Sequence, residues 1–151
     1  MVHSAGKRGI ESMTAYMTDT LGLSGWNEAG FQVVDYIYDM PRLMAAADLV
    51  LCRSGASTLA ELTAMGKPAV LVPSPNVVHN HQEVNARVLE RGGAAVVLVE
   101  REATSERMLQ TITGLLSDRE KLAAMAENMR RMAVENATDE ITSMVISLAA
   151  K

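Results

Sequence analysis

"ADLVLCRSGASTLAELTAMGKPAVLVP", Ala47 to Pro73, decides the fold. A short apolar run, Asp48 to Cys52, gives way to a cluster of small and polar residues. A helical pattern follows from Ser57 to Gly66, and a second apolar run fills Pro68 to Pro73. Strands this apolar along their whole length are covered on both faces. Strand, helix and strand with short connections imply parallel pairing and a right-handed crossover. Gly66 stands where a left-handed helix cap is needed.

The alternation continues on both sides. Upstream, "FQVVDYI" (Phe31 to Ile37) is rich in β-branched and aromatic residues and reads as a strand. "PRLMAAA" (Pro41 to Ala47) reads as a short helix with proline in its first turn. Downstream, "HQEVNARVLERGG" (His81 to Gly93) reads as a helix and "AAVVLV" (Ala94 to Val99) as a strand. The class is α/β, a doubly wound Rossmann-like parallel sheet. The last third, from Ser105, is helical. Met108, Ile112, Leu115 and Leu116 form one apolar stripe, and Leu122, Met125 and Met129 another. Ser117 and Asp118 separate the two and suit the cap of the second helix. Asp139 to Lys151 closes the chain as a further helix. The many methionines read as adaptable core filler rather than as a binding surface.

At 151 residues, the chain is one domain's worth, with its C-terminal helices at 105–151. A net charge of −4, no long basic run and only 3% aromatic residues argue against nucleic-acid binding. The single cysteine, Cys52, excludes an internal disulfide framework and fits a reducing compartment. It reads as a small buried strand residue. "MVHSAGKRGIE" has no apolar stretch suited to a signal peptide. No segment approaches the roughly 20 apolar residues of a membrane helix. These features predict a soluble, cytoplasmic chain.

In a doubly wound sheet, ligands bind beyond the carboxyl ends of the strands. Three stretches lie there: "YIYDM" from Tyr36, "RSGAST" from Arg53 and "SPNVVHNHQEVN" from Ser74. In the second, Gly55 and Ala56 leave room for close approach to the first amides of a helix, a ready phosphate site. Ser54, Ser57 and Thr58 add hydroxyl groups. A plain helix cap explains the same residues, since Thr58 and Glu61 have capping-box spacing. Glu61 therefore has two readings, a cap or an acceptor for both hydroxyls of a ribose. The third stretch is long for an α/β connection. Gln82 and Asn85 share a helix face, and amides suit sugar hydroxyls because they both donate and accept. A solvated first turn is the alternative. "HNH" lacks a third ligand of the right type nearby, which argues against zinc. No Gly-x-Ser-x-Gly elbow supports a catalytic triad.

Taken together, "DYIYDMPRLMAAADLVLCRSGASTLAELTAMGKPAVLVPSPNVVHNHQEVNARVLERGGAAVV" resembles the C-terminal domain of the MurG family of bacterial peptidoglycan glycosyltransferases. The resemblance runs from about Val2 to Leu148. It rests on the order and spacing of "ADLVLCRSGAST-x-x-E", "G-x-P-A-x-L-V-P" and "NHQ-x-x-NA". The loop "SPNVVHNHQE" looks more like the Gram-positive form. The resemblance implies the C-terminal half of a glycosyltransferase-B architecture, which binds UDP-N-acetylglucosamine for inverting transfer to lipid I, giving lipid II. By position, it implies that Tyr36 covers the uracil and the Ile37 backbone hydrogen-bonds its edge. Gly55, Ala56, Ser57 and Thr58 meet the diphosphate and sugar, with Arg53 and Ser54 in the same donor-binding loop. Glu61 takes the ribose diol, and His81, Gln82 and Asn85 address the N-acetylglucosamine. It implies no cofactor and no metal directly in the site.

The sequence also departs from the family. The N-terminal domain, with its membrane-facing surface, acceptor site and catalytic base, has no counterpart here. Nor has the first strand of the C-terminal domain with its glycine-rich loop, because "MVHSAGK" resembles the end of the second strand. No catalytic residue is therefore assigned, and the chain alone is expected to be inactive. Lipid I is met only through the missing half. In the order 3-2-1-4-5-6 the first strand is central. Its loss predicts that the strand near His3 and the strand at Asp48 pair directly, or that they pair with a second copy or a complementary half. Two other readings stand: a non-catalytic UDP-sugar-binding subunit with a separately encoded partner, or an inactive fragment.

Overall fold

The computed structural model describes residues 1–23 and 30–149. The chain divides into two compact units, Met1–Leu43 and Met44–Lys151.

In the first unit, β1 (Val2–Ser4) and β2 (Gln32–Val34) pair in parallel, with Val2 opposite Gln32 and Ser4 opposite Val34. Between them the chain forms α1 (Ile10–Ala15), which runs on as a π-helical turn over Tyr16–Thr20. Among the described residues, Met17 and Val33 are its buried apolar ones. β2 is shorter than the Phe31–Ile37 run predicts. Its ladder stops at Val34, and Asp35 turns inward on itself, its carboxylate accepting the Tyr36 amide at 2.7 Å.

α2 (Met40–Ala46) crosses from the first unit into the second. The second unit then alternates β3 (Val50–Cys52), α3 (Ala56–Met65), β4 (Ala69–Leu71), α4 (His81–Arg91) and β5 (Ala95–Val97). The strands are parallel, in the order β3-β4-β5. β4 is the central strand and all three of its residues are buried. Ala69 and Leu71 join Leu59, Leu62, Leu89 and Met129 on one face, while Val70 joins Leu98, Leu115 and Met125 on the other. This is the two-sided burial that the unbroken apolar run "AVLV" requires. Gly66 ends α3 in the left-handed conformation, at φ 61°, which only glycine adopts without strain.

Two helices follow, α5 (Ser105–Ser117) and α6 (Arg119–Arg131). The Asp118 side chain caps α6 by accepting the Lys121 amide, as the sequence predicts. Met125 and Met129 are buried, so these methionines fill core. Leu116, placed on the α5 stripe by spacing, is 47% exposed instead. α7 (Ala137–Ala149) ends the described chain; Ala150 and Lys151, the end of the expected last helix, lie outside the described residues.

Among the described residues, β1 pairs only with β2, and β3 only with β4.

Candidate functional site

In the second unit the strands deliver three connections to the carboxyl edge of the sheet. The first is the turn from β3 into α3. Gly55 is the N-cap of α3, with φ −65° and ψ 146°, and no side chain caps the helix. Thr58 and Glu61 therefore do not form the capping box that their spacing suggests. The reason is position: Thr58 lies inside the helix, so Glu61 falls in the second turn rather than the first. Leu59 makes the first backbone bond, to the Gly55 carbonyl at 3.0 Å. The amides of Ala56, Ser57 and Thr58 precede it and have no intrahelical acceptor. A Cβ built on Gly55 would meet nothing within 4 Å. Open space thus faces uncapped helix amides, whose partial positive charge favours an anion. Ser57 is exposed and Thr58 half-buried.

Glu61 is exposed on α3. With the capping role gone, its carboxylate has no hydrogen-bond or ion-pair partner among the described residues.

Arg53 and Ser54, counted with this loop, are turned elsewhere. Arg53 Nη1 donates to the carbonyls of Val72 and Pro73 and to Glu100. Ser54 is fully buried and its hydroxyl donates to the Gln82 carbonyl at 2.8 Å. The structure therefore separates the six residues of "RSGAST" into two that tie the loop down and four that form the N-cap and first turn of α3.

The second connection runs from β4 to α4. Its backbone bends sharply at His79 (φ 53°) and Asn80 (φ 50°), both left-handed, a conformation that costs non-glycine residues about 1 kcal/mol or more each. Side chains hold the bend. Asn80 donates to Glu83 at 2.7 Å, and the Ser74 amide donates to Gln82 Oε1 at 3.0 Å. His81 Nδ1 lies 2.8 Å from the Val78 carbonyl. A carbonyl can only accept, so Nδ1 carries the proton and Nε2 presents a lone pair in the neutral ring. Gln82 keeps its NH2 group for other partners. Asn85 is half-buried, one turn along the same helix. The hydrogen bond from Asn80, reinforced by Arg87, holds the Glu83 carboxyl below its ordinary range.

The third connection begins with Glu100, in the short 3-10 turn Glu100–Glu102 after β5. A cavity of about 580 Å³ lies between this turn and the β4–α4 loop, lined by Pro73, Pro75, Asn80, Glu83 and Glu100 among others. The Arg53 hydrogen bond holds the Glu100 carboxyl below its ordinary range. Sequence reasoning missed Glu100. Its only signal is that it, like Arg53, closely follows the end of a strand.

In the first unit, Tyr36 and Ile37 follow the carboxyl end of β2, where the resemblance expects a base-binding segment. Tyr36 is 59% exposed and meets the edge of Tyr38, with ring centroids 5.1 Å apart and planes at 71°. Tyr38 is a second residue that the sequence did not single out.

Cys52, the last residue of β3, is unpaired, and burial pushes its thiol up to about 11. The thiolate is the nucleophile. At pH 8, alkylation of the native chain should be about 100-fold slower than that of the urea-unfolded chain, with the deficit closing as pH rises toward 11. Equal rates at pH 8 would contradict burial of this strand end.

The comparisons with known proteins agree with this geometry. Residues 1–141 match the glycosyltransferase family 28 C-terminal domain. Over 113 residues the chain is 50% identical to the UDP-N-acetylglucosamine–N-acetylmuramyl-(pentapeptide) pyrophosphoryl-undecaprenol N-acetylglucosamine transferase of Acetivibrio thermocellus, covering 75% of this chain and 31% of that protein. To the protein of the same name in Desulforudis audaxviator it is 40% identical over 151 residues, covering 100% of this chain and 40% of that protein. Among solved structures, Acinetobacter baumannii MurG superposes with a TM-score of 0.82 at 31% identity, over 97% of this chain and 42% of that one. The chain thus spans less than half the length of these relatives. A parallel sheet with open helix amides at its carboxyl edge and a family match over residues 1–141 lead to one assignment: the chain belongs to the glycosyltransferase family 28 C-terminal domain family.

Proposed function

We propose that this chain is the donor-binding half of a peptidoglycan glycosyltransferase and that it holds UDP-N-acetylglucosamine. One observation carries the reading: α3 starts at an uncapped glycine facing open space, on the helix that carries the exposed carboxylate of Glu61. The relatives' names supply the nucleotide sugar. In this reading the amides of Gly55 to Thr58 receive the diphosphate and Glu61 accepts the ribose hydroxyls. His81 Nε2, the Gln82 amide and Asn85 address the N-acetylglucosamine.

The chemistry follows from the leaving group. An acceptor hydroxyl attacks the anomeric carbon from the face opposite the diphosphate. The new C–O bond forms as the bond to the diphosphate breaks, UDP leaves with the electron pair, and the hydroxyl proton passes to a base. The configuration inverts. The α3 amides, fixed before reaction, stabilise the charge that grows on the diphosphate. The acceptor, lipid I, and the base belong to the other half of the family's architecture, so this chain alone is expected to bind donor without turning it over. With that half, the enzyme works at the cytoplasmic face of the membrane.

A second reading shares the site and differs in assembly: a UDP-sugar-binding subunit that pairs with a separate chain through the β3 edge, where Leu51 is 47% exposed. Turnover restored by adding the family's N-terminal half in trans would favour it.

Gly55→Ala tests the shared site. The residue's φ of −65° is open to alanine, and a methyl there meets no neighbour within 4 Å, so the fold should be unaffected. The methyl would occupy the space the diphosphate needs. Calorimetric titration with UDP-N-acetylglucosamine should show affinity at least tenfold weaker, at an unchanged melting temperature. Equal affinity for both proteins would remove the diphosphate from this turn.

A further inference from the structure

One guanidinium ties together the carboxyl ends of β3, β4 and β5. Arg53, the first residue after β3, donates from Nη1 to the Val72 carbonyl at 3.1 Å and the Pro73 carbonyl at 3.3 Å, both just past β4. The same nitrogen meets Glu100 Oε2 at 2.5 Å, past β5. Next along the chain, Ser54 is fully buried and fastened to the Gln82 carbonyl in the first turn of α4. Gly55, the N-cap of α3, follows at once. The two residues before the open turn are thus both held by neighbouring connections.

We propose that Arg53 and Glu100 are positioning residues: their ion pair fixes the turn that leads into α3, so that the helix amides are already aimed when a diphosphate arrives. The consequence for the ligand rests on the donor-binding reading; the tie itself does not. The competing assignment makes Arg53 a direct ligand of the diphosphate, with Glu100 merely its resting counter-charge. The two predict opposite signs. If Arg53 binds the anion directly, removing Glu100 frees a cation and subtracts a nearby negative charge, so UDP binds more tightly. If the pair positions the turn, removing Glu100 loosens the turn and UDP binds more weakly.

Glu100→Ala decides between them, with three readouts. Without ligand, hydrogen exchange is followed at Leu59, whose amide donates to Gly55, and at Val72, whose amide donates to Cys52. Both should speed up roughly three- to fivefold, the scale of an exposed ion pair. Unchanged exchange overturns the proposal, whether or not UDP binds. UDP is the titrant rather than the sugar nucleotide, because Glu100 also lines the cavity and a sugar contact there would confuse the result. UDP affinity should fall roughly three- to fivefold. An unchanged or rising affinity overturns the proposal. Uridine, which lacks phosphate, should bind the variant and the parent equally; a parallel loss of uridine overturns it, because the effect would then be general loosening. Failure of the parent chain to bind UDP would refute the donor-binding reading, and the exchange result would still judge the tie.

Discussion

Glu61→Ala should weaken UDP-N-acetylglucosamine binding roughly ten- to a hundredfold and leave the melting temperature where it is. A carboxylate that accepts two ribose hydroxyls makes two charge-assisted hydrogen bonds, and such a bond contributes about 1.5–3 kcal/mol net. Glu61 is exposed, so water re-solvates the hydroxyls once it is gone and the loss is that of about one such bond, about 1.4–2.8 kcal/mol, which is that affinity range. The fold should not notice. Glu61 is exposed, caps nothing and sits within α3, where alanine is the better helix former. Calorimetry gives the affinity, thermal unfolding monitored by circular dichroism gives the stability, and the 2′-deoxy nucleotide sugar gives a check. It should bind the parent chain more weakly and the variant no differently. An affinity untouched by the substitution would show that the ribose lies elsewhere.

The neighbouring residue predicts the reverse. Leu62→Ala should cost about 3–4 kcal/mol of stability. Leu62 is completely buried and packs in the cluster of Leu59, Ala69, Leu71, Leu89 and Met129, between α3, α6 and the sheet. Removing its side chain forfeits the transfer term and leaves a hole that a β-sheet face cannot close. Against a typical total of about 5–15 kcal/mol, that is a large fraction. Urea denaturation should show a lower midpoint with an unchanged slope. Any affinity loss should vanish under conditions where the variant is fully folded. A cost under about 1 kcal/mol would mean that α3 is not seated on the sheet as described.

Glu61 and Leu62 also show what the sequence reveals and what it withholds. The helix that carries Leu62 is legible from its pattern between two apolar runs, whereas the burial of Leu62 itself is shown by the structure. The same local signals place α3, α4, α6 and the cap at Asp118 within a residue or two. Both apolar-rich runs are longer than the strands they contain: in "FQVVDYI" the ladder stops at Val34, just before Asp35, and in "PAVLVP" the strand is Ala69–Leu71, because residue type does not report which backbone groups join the ladder. The cap of α3 stays open in the sequence for a related reason. Gly55, Ser57 and Thr58 can each start a helix, and the spacing of Thr58 and Glu61 favours the wrong one; only the backbone at Gly55 decides it. The roles of Ser54 and Arg53 were not legible. Both look like ligand donors in "RSGAST", yet their partners, Gln82 and Glu100, lie 28 and 47 residues away. No local pattern encodes a contact of that separation. Of the assigned residues, Gly55 is the N-cap of α3 and Ala56, Ser57 and Thr58 are its first helical residues; that they meet a ligand is the proposal.

The central claim is that this helix start receives a diphosphate. The most direct test is a titration of isotope-labelled chain with UDP, followed by NMR at the backbone amides. The account predicts saturable shifts that are largest at Gly55, Ala56, Ser57 and Thr58, with one dissociation constant fitting all four. Amides that stay still at these positions in a folded chain, or shifts centred on another part of it, would contradict the account.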